Sequence, residues 1–154
     1  MKKLLLLFFL CFSAEAFAIN WVEVFVSNST GSSFYVDVDR IEVKKKYTYF
    51  WVLANFAKPV GASKYLSAKI KWKADCKEKK RRKLSLSIYK KNNAEVLLET
   101  FRGFGWEYPT PRTIGFVQLK FACDRVNASI KNKKPKKTTY LIESTEYFFA
   151  SKKN

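Results

Sequence analysis

The chain has 154 residues, which suits one domain with a single core. It carries 30 lysines and arginines against 13 aspartates and glutamates, a formal net charge of +17, and no histidine. The missing histidine removes the usual general base, the Ser-His-Asp arrangement and the commonest zinc and haem ligand, while the charge points either to an anionic partner or to solubility.

Residues 1–18 read as a cleavable export signal. Lys2 and Lys3 form a short positive start, Leu4 to Phe12 is an unbroken apolar run, and Ala16-Phe17-Ala18 places small residues where a signal peptidase reads them. The run is shorter than the ~20 apolar residues needed to span a bilayer. A lipoprotein signal at Cys11 is disfavoured because Phe9-Leu10 precedes it. No other segment is an integral membrane candidate. Cleavage after Ala18 removes Lys2, Lys3, Glu15 and Cys11, so the mature chain keeps a strong positive charge and two cysteines, Cys76 and Cys123. An even pair in an exported chain reads as one disulfide; two free buried thiols are the alternative. The sequons Asn28-Ser29-Thr30 and Asn127-Ala128-Ser129 are read as chance, because the short lysine-rich start looks bacterial.

The mature chain reads mainly as strands. Trp21 to Ser27 and Phe34 to Val38 are short apolar runs separated by the turn cluster Asn28 to Ser32. Ile41 and Val43 follow, with Lys44-Lys45-Lys46 as a hairpin tip. Tyr47 to Phe56 is a long aromatic strand ended by Lys58-Pro59-Val60-Gly61. Next comes the clearest period in the chain: Leu66, Ala68, Ile70, Trp72 and Ala74 alternate with Ser67, Lys69, Lys71, Lys73 and Asp75. A two-residue repeat predicts one buried face and one wet face. Lys77 to Lys83 reads as a charged turn, Leu84 to Tyr89 as a partner strand, Lys90 to Asn93 as a turn and Val96 to Phe101 as a further strand.

The pattern changes after Trp106. Thr110 and Pro111 suit an N-cap and first helical position, and Ile114, Val117 and Phe121 share a helical stripe that Leu119 flanks. A helix is expected from about Pro111 to Cys123, lying on the buried sheet face, with Gly115 as an unfavourable residue inside it. Asn127 to Lys137 reads as a basic linker, and Tyr140 to Phe149 as an edge strand.

Two groups of residues carry candidate chemistry. Lys69, Lys71 and Lys73 on the wet face, with Lys79, Lys80, Arg81, Arg82 and Lys83 in the next segment, are candidates for contact with polyanions such as lipopolysaccharide, glycans or nucleic acid. The competing reading is solubility and protection of a sheet edge. Trp72 lies on the face opposite the three lysines, so base stacking is poorly served. Asp37 and Asp39 are two apart and form a possible carboxylate pair, but a strand-to-turn junction with local backbone bonding accounts for them. Trp21, Trp51, Trp72 and Trp106 are assigned to the core in preference to a pocket. No catalytic group, metal ligand set or cofactor site is assigned.

The order of these features resembles the surface-adhesin protein E family. The likeness rests on Asn20-Trp21, Phe34-Tyr35-Val36-Asp37 followed by Ile41, Trp51, Ser63, Asp75-Cys76, Trp106 and Cys123, and it covers Asn20 to about Asp124. Tyr108-Pro109-Thr110-Pro111 departs from the family's approach to the helix, and the lysine-rich tail is extra. The resemblance implies an α+β fold, an antiparallel β-sheet of about six strands with one C-terminal helix packed on one face. It also implies a bacterial envelope protein and a binding role, with host matrix or envelope proteins as partners. The expected organisation is a signal peptide over 1–18, the adhesin-like domain over 19–125, and a basic linker with a C-terminal extension over 126–154. The expected function is that of an exported, non-enzymatic binding module of the periplasm or cell surface, with binding of anionic polymers through a basic face as the second reading.

Overall fold

The structure is a computed structural model that describes residues 19–62, 64–90, 95–100 and 105–131. The signal region and the segment 140–149 lie outside the described residues. Among the described residues seven strands form one sheet: β1 (Trp21–Val26), β2 (Ser33–Asp37), β3 (Glu42–Lys44), β4 (Tyr47–Val60), β5 (Tyr65–Asp75), β6 (Lys80–Tyr89) and β7 (Glu95–Thr100). Six run in the order β1-β2-β4-β5-β6-β7, and short β3 pairs with the start of β4. Every pairing is antiparallel. The helix of the described residues, α1 (Ile114–Ile130), lies on one face against β1, β2 and β4. The α+β architecture with a helix on one face of an antiparallel sheet is therefore the one the sequence predicts.

The alternation in β5 sets the layers. Phe50 pairs with Trp72, Val52 with Ile70 and Ala54 with Ala68, and all six are buried. Ile70, Trp72 and Ala74 join Val36, Phe50 and Val52 under Leu119, Ala122 and Cys123 of α1. Removing each large apolar side chain from water contributes about 1.5–3 kcal/mol. The helix does not cover the whole buried row of β5, however. Ala68 packs with Tyr65 and Ile88 in a separate cluster, and Leu66 is only half-buried.

Four element boundaries differ from expectation. β4 continues through Pro59 to Val60, because its pairing with β5 is interrupted between Asn55 and Val60 and the missing proline N–H falls in that gap. The segment Lys77 to Lys83 is not all turn. Only Lys77 to Lys79 turns the chain, and β6 starts at Lys80.

The helix begins at Ile114, not Pro111, because Arg112 stands in the left-handed region (φ 68°), which no α-helix accommodates. Thr113 is the true N-cap. Its Oγ1 accepts from the Phe116 N–H (3.3 Å) and donates to the Thr110 carbonyl (2.7 Å). The helix then runs on through Asn127, read as linker, to Ile130. The Cys76–Cys123 disulfide is formed, with Cα atoms 5.6 Å apart, and ties the end of β5 to the middle of α1. Among the described residues no helix is long and apolar enough to cross a membrane.

Candidate functional site: the wet face of the sheet

The side chains that alternate away from α1 form a face of a different character. Tyr49 of β4 is directly opposite Lys73 of β5, Trp51 opposite Lys71, and Leu53 opposite Lys69. Across the next strand Lys73 is opposite Arg82, Lys71 opposite Ser85 and Lys69 opposite Ser87. The result is a row of Tyr49, Trp51 and Leu53, a row of lysines and a row of one arginine and two serines on three adjacent strands.

The cations lie on the rings. Lys69 Nζ is 5.1 Å from the Tyr89 ring centroid and Lys71 Nζ is 5.4 Å from that of Trp51. Lys73 Nζ is 3.8 Å from the Tyr47 centroid and 5.8 Å from that of Tyr49. Each contact is worth ~0.5–1 kcal/mol at an exposed site and narrows the rotamers of a long side chain. None of Lys69, Lys71 and Lys73 is fully exposed, because their stems run along the rings.

The densest part is the corner where the segment after residue 104 crosses β6. Arg81 and Glu107 exchange both backbone hydrogen bonds (2.9 and 2.8 Å). Strand alternation then sends Trp106 and Tyr108 to one face and Glu107 to the other. Trp106 stacks on Tyr47, with centroids 5.6 Å apart and planes at 25°. Lys80 and Arg82 approach the Trp106 ring at 5.3 and 5.4 Å, and Lys46 approaches Tyr47 at 5.1 Å. Lys80 is also 6.0 Å from the Tyr108 centroid.

Carboxylates near this face already have partners. Glu42 pairs with Lys44 at 2.5 Å, which holds the Glu42 carboxyl below and the Lys44 ammonium above their ordinary values. Asp75 lies 3.5 Å from Lys46 and accepts from the Glu78 N–H at 3.2 Å. The Glu78 bond, then Lys46, hold the Asp75 carboxyl below the usual carboxylate range, against the opposing pull of burial.

The sequence-derived basic candidates separate into three positions. Lys69, Lys71, Lys73, Lys80 and Arg82 come together on the wet face. Lys79 is exposed in the turn before β6, in the left-handed region (φ 51°). Lys83 is opposite Trp72 across the strands, 5.7 Å from its ring, and so belongs to the helix side.

Arg81 is not a surface cation. It is 6% exposed, its guanidinium carbon lies 3.8 Å from the Trp72 ring centroid, its Nε donates to Glu107 Oε1 (2.6 Å) and its Nη1 donates to Gln118 Oε1 (2.9 Å). Burial pushes its pKa down and Glu107 opposes that push. The reason is register: on a strand beginning at Lys80, Lys80 and Arg82 face one way and Arg81 the other.

The aromatic side of this site escaped the sequence reading. Trp72 does lie on the far face, but Tyr47, Tyr49 and Trp51 from β4 and Trp106 supply rings on the lysine face. Of the four tryptophans assigned to the core, only Trp72 is buried; Trp21, Trp51 and Trp106 are half-buried. The signal was the alternation of Tyr47, Tyr49 and Trp51 with Thr48, Phe50 and Val52, masked because aromatic residues stand on both faces of β4.

Asp37 and Asp39 are confirmed as a turn: the Asp39 N–H donates to Asp37 Oδ1 (3.2 Å) and Arg40 Nε approaches Oδ2 (3.3 Å).

Two solved structures of Haemophilus influenzae protein E are similar to the chain. One, of crystal form II, is 15% identical and covers 58% of this chain and 79% of its own, with a TM-score of 0.43. The other, from a non-typeable strain, is 12% identical and covers 78% and 86%, with a TM-score of 0.48. No curated protein sequence matches. The profile of the family described as surface-adhesin protein E matches residues 21–124, from the first residue of β1 to one residue past the disulfide, and the chain belongs to that family.

Proposed function

We propose that this protein is an exported, non-enzymatic binding module of the bacterial envelope that engages host matrix or envelope proteins. The observation that carries this reading is the family match over residues 21–124, which spans the sheet and most of α1. Met1 to Ala18 supports export by its positive start, apolar run and Ala16-Phe17-Ala18 end. The carboxylates of Asp37 and Asp75 each accept a backbone N–H within a turn and lie beside a cation, Arg40 and Lys46 respectively, which supports a structural role for them.

The test is to fractionate cells and read the mature N-terminus by mass spectrometry, then shave intact cells with protease. The mature chain is expected to start at Ile19 and to be lost on shaving. A chain that keeps Met1 would remove export from the proposal, and one protected from shaving would remove surface adhesion. A second reading, contact with anionic polymers, is favoured by one specific observation: Lys69, Lys71 and Lys73 stand in a line on the wet face, each over an aromatic ring.

A further inference from the structure

We infer that the wet face is a binding strip for a linear sulfated polysaccharide, laid along β5 and β6 and held by Lys69, Lys71, Lys73, Lys80 and Arg82. The inference rests on the second reading above and gives it residues and a ligand class.

Three properties of the face lead to this class. The first is the spacing of charge. Residues two apart on a strand lie roughly 7 Å apart, so Lys69, Lys71 and Lys73 present a regular line of ammonium groups. Arg82, opposite Lys73, and Lys80, opposite Asp75, widen the line at the Trp106 corner. A linear polymer with repeated anionic groups meets such a line at several points at once.

The second is preorganisation. Free lysines lose about 0.5–1.5 kcal/mol each when a ligand immobilises them. Here Tyr89, Trp51 and Tyr47 already restrain the three lysines, and Trp106 restrains Lys80 and Arg82. Part of the ordering cost is met before binding. Among the described residues, Glu42 and Asp75 beside the strip are paired with Lys44 and Lys46.

The third separates polysaccharide from single-stranded nucleic acid, which uses open ring faces as platforms for its bases. Tyr47 has Trp106 stacked on it and Lys73 over its ring, and Trp106 has Tyr47, Lys80 and Arg82. The rings hold cations here and are not vacant platforms. Ser85, half-buried and opposite Lys71, places a hydroxyl group beside the ammonium line, which suits a sugar with hydroxyl and sulfate groups.

The experiment uses the mature chain from Ile19 to Asn154 with heparin as the probe, and affinity is measured at several salt concentrations. Variants are Lys69→Gln/Lys71→Gln/Lys73→Gln and a control of equal charge loss at exposed sites off the strip, Lys58→Gln/Lys77→Gln/Lys131→Gln. Each ion contact with a polyelectrolyte contributes about 0.7–0.9 to the slope of log affinity against log salt. The strip triple is expected to lose about 2–3 from that slope and at least about tenfold in affinity near physiological salt, the control less than about twofold. Equal losses in both variants would overturn the strip in favour of net charge alone. Tighter binding of oligothymidylate than of heparin, with quenching of tryptophan fluorescence, would overturn the polysaccharide class in favour of nucleic acid. Should the triple fail to fold by circular dichroism, Lys71→Gln alone carries the test, with an expected slope loss of about 1 and no change reading against the strip. Failure here leaves the export result untouched, since that is read from the mature N-terminus.

Discussion

The guanidinium of Arg81 occupies the space in which a Cβ at Gly115 would stand: an ideal Cβ there would lie 2.5 Å from Arg81 Nη2 and 3.1 Å from its Cζ. A glycine in the first turn of a helix costs about 1 kcal/mol against alanine on propensity alone. In α1 it is what lets the helix close over a buried cation. Arg81 cannot simply swing aside, because its Nε is bonded to Glu107, its Nη1 to Gln118, and its plane rests on Trp72.

Gly115→Ala is therefore expected to destabilise the protein by about 1–3 kcal/mol, the usual cost of overpacking, although alanine is the better helix former. In an Arg81→Met background the same change should cost less or stabilise, since the obstructing fork is gone. A double-mutant cycle read by urea unfolding measures this coupling, expected at ~1 kcal/mol or more. Equal effects in both backgrounds would mean that Arg81 and Gly115 do not compete for space.

The Cys76–Cys123 bond closes a loop of 47 residues in sequence separation. On the chain-entropy account a loop of that length is worth about 4 kcal/mol, drawn from the unfolded state. Cys76→Ala/Cys123→Ala, or reduction, should lower stability by ~2–5 kcal/mol and shift the thermal midpoint accordingly. If the reduced and oxidised proteins melt together, the bond contributes nothing and the account fails.

What the sequence disclosed and what it concealed divide along physical lines. β5 was legible because one strand carries its whole signal, a strict two-residue alternation from Leu66 to Asp75. The cysteine pair was legible by parity. Arg81 was misplaced because a run of like charges hides alternation: Lys80, Arg81 and Arg82 look alike in composition, and only the strand start assigns them faces. The start of α1 was displaced because Thr110 and Pro111 offer good local signals, whereas the left-handed Arg112 that overrides them has none. The wet face lay furthest from reach. Its chemistry comes from Trp51 beside Lys71 and Trp106 beside Tyr47, neighbours made by register and by a crossing segment, not by sequence proximity.

Trp72 is 3% exposed and lies under Arg81 on one side of the core cluster that holds Phe50, Ile70 and Leu119. Trp72→Ala should cost about 3–5 kcal/mol through lost burial and the cavity left behind. Trp51→Ala, on the wet face, should cost less than half as much, because that ring is only half-buried and supports mainly Lys71. Paired denaturation curves check the ranking, and equal losses would contradict the assignment of the two rings to different faces.

Asp75 gives the fold a defined acid sensitivity. The Glu78 N–H and Lys46 favour its charged form, so its folded pKa is depressed relative to the unfolded chain. A depressed carboxyl contributes stability above its unfolded pKa, near 3.9, and loses that contribution as pH falls through the folded value. Asp75→Asn keeps an oxygen for the Glu78 N–H but removes the charge that draws in Lys46. The variant should thus be less stable than the parent at pH 7, with the gap shrinking once the pH drops below about 4. Raising the salt at pH 7 should narrow the same gap, because Lys46 is largely exposed and its attraction is screened. Urea midpoints for both proteins at pH 7, 4 and 3 decide it: a gap that stays constant across that range would show that the carboxylate charge of Asp75 does not stabilise the turn after β5.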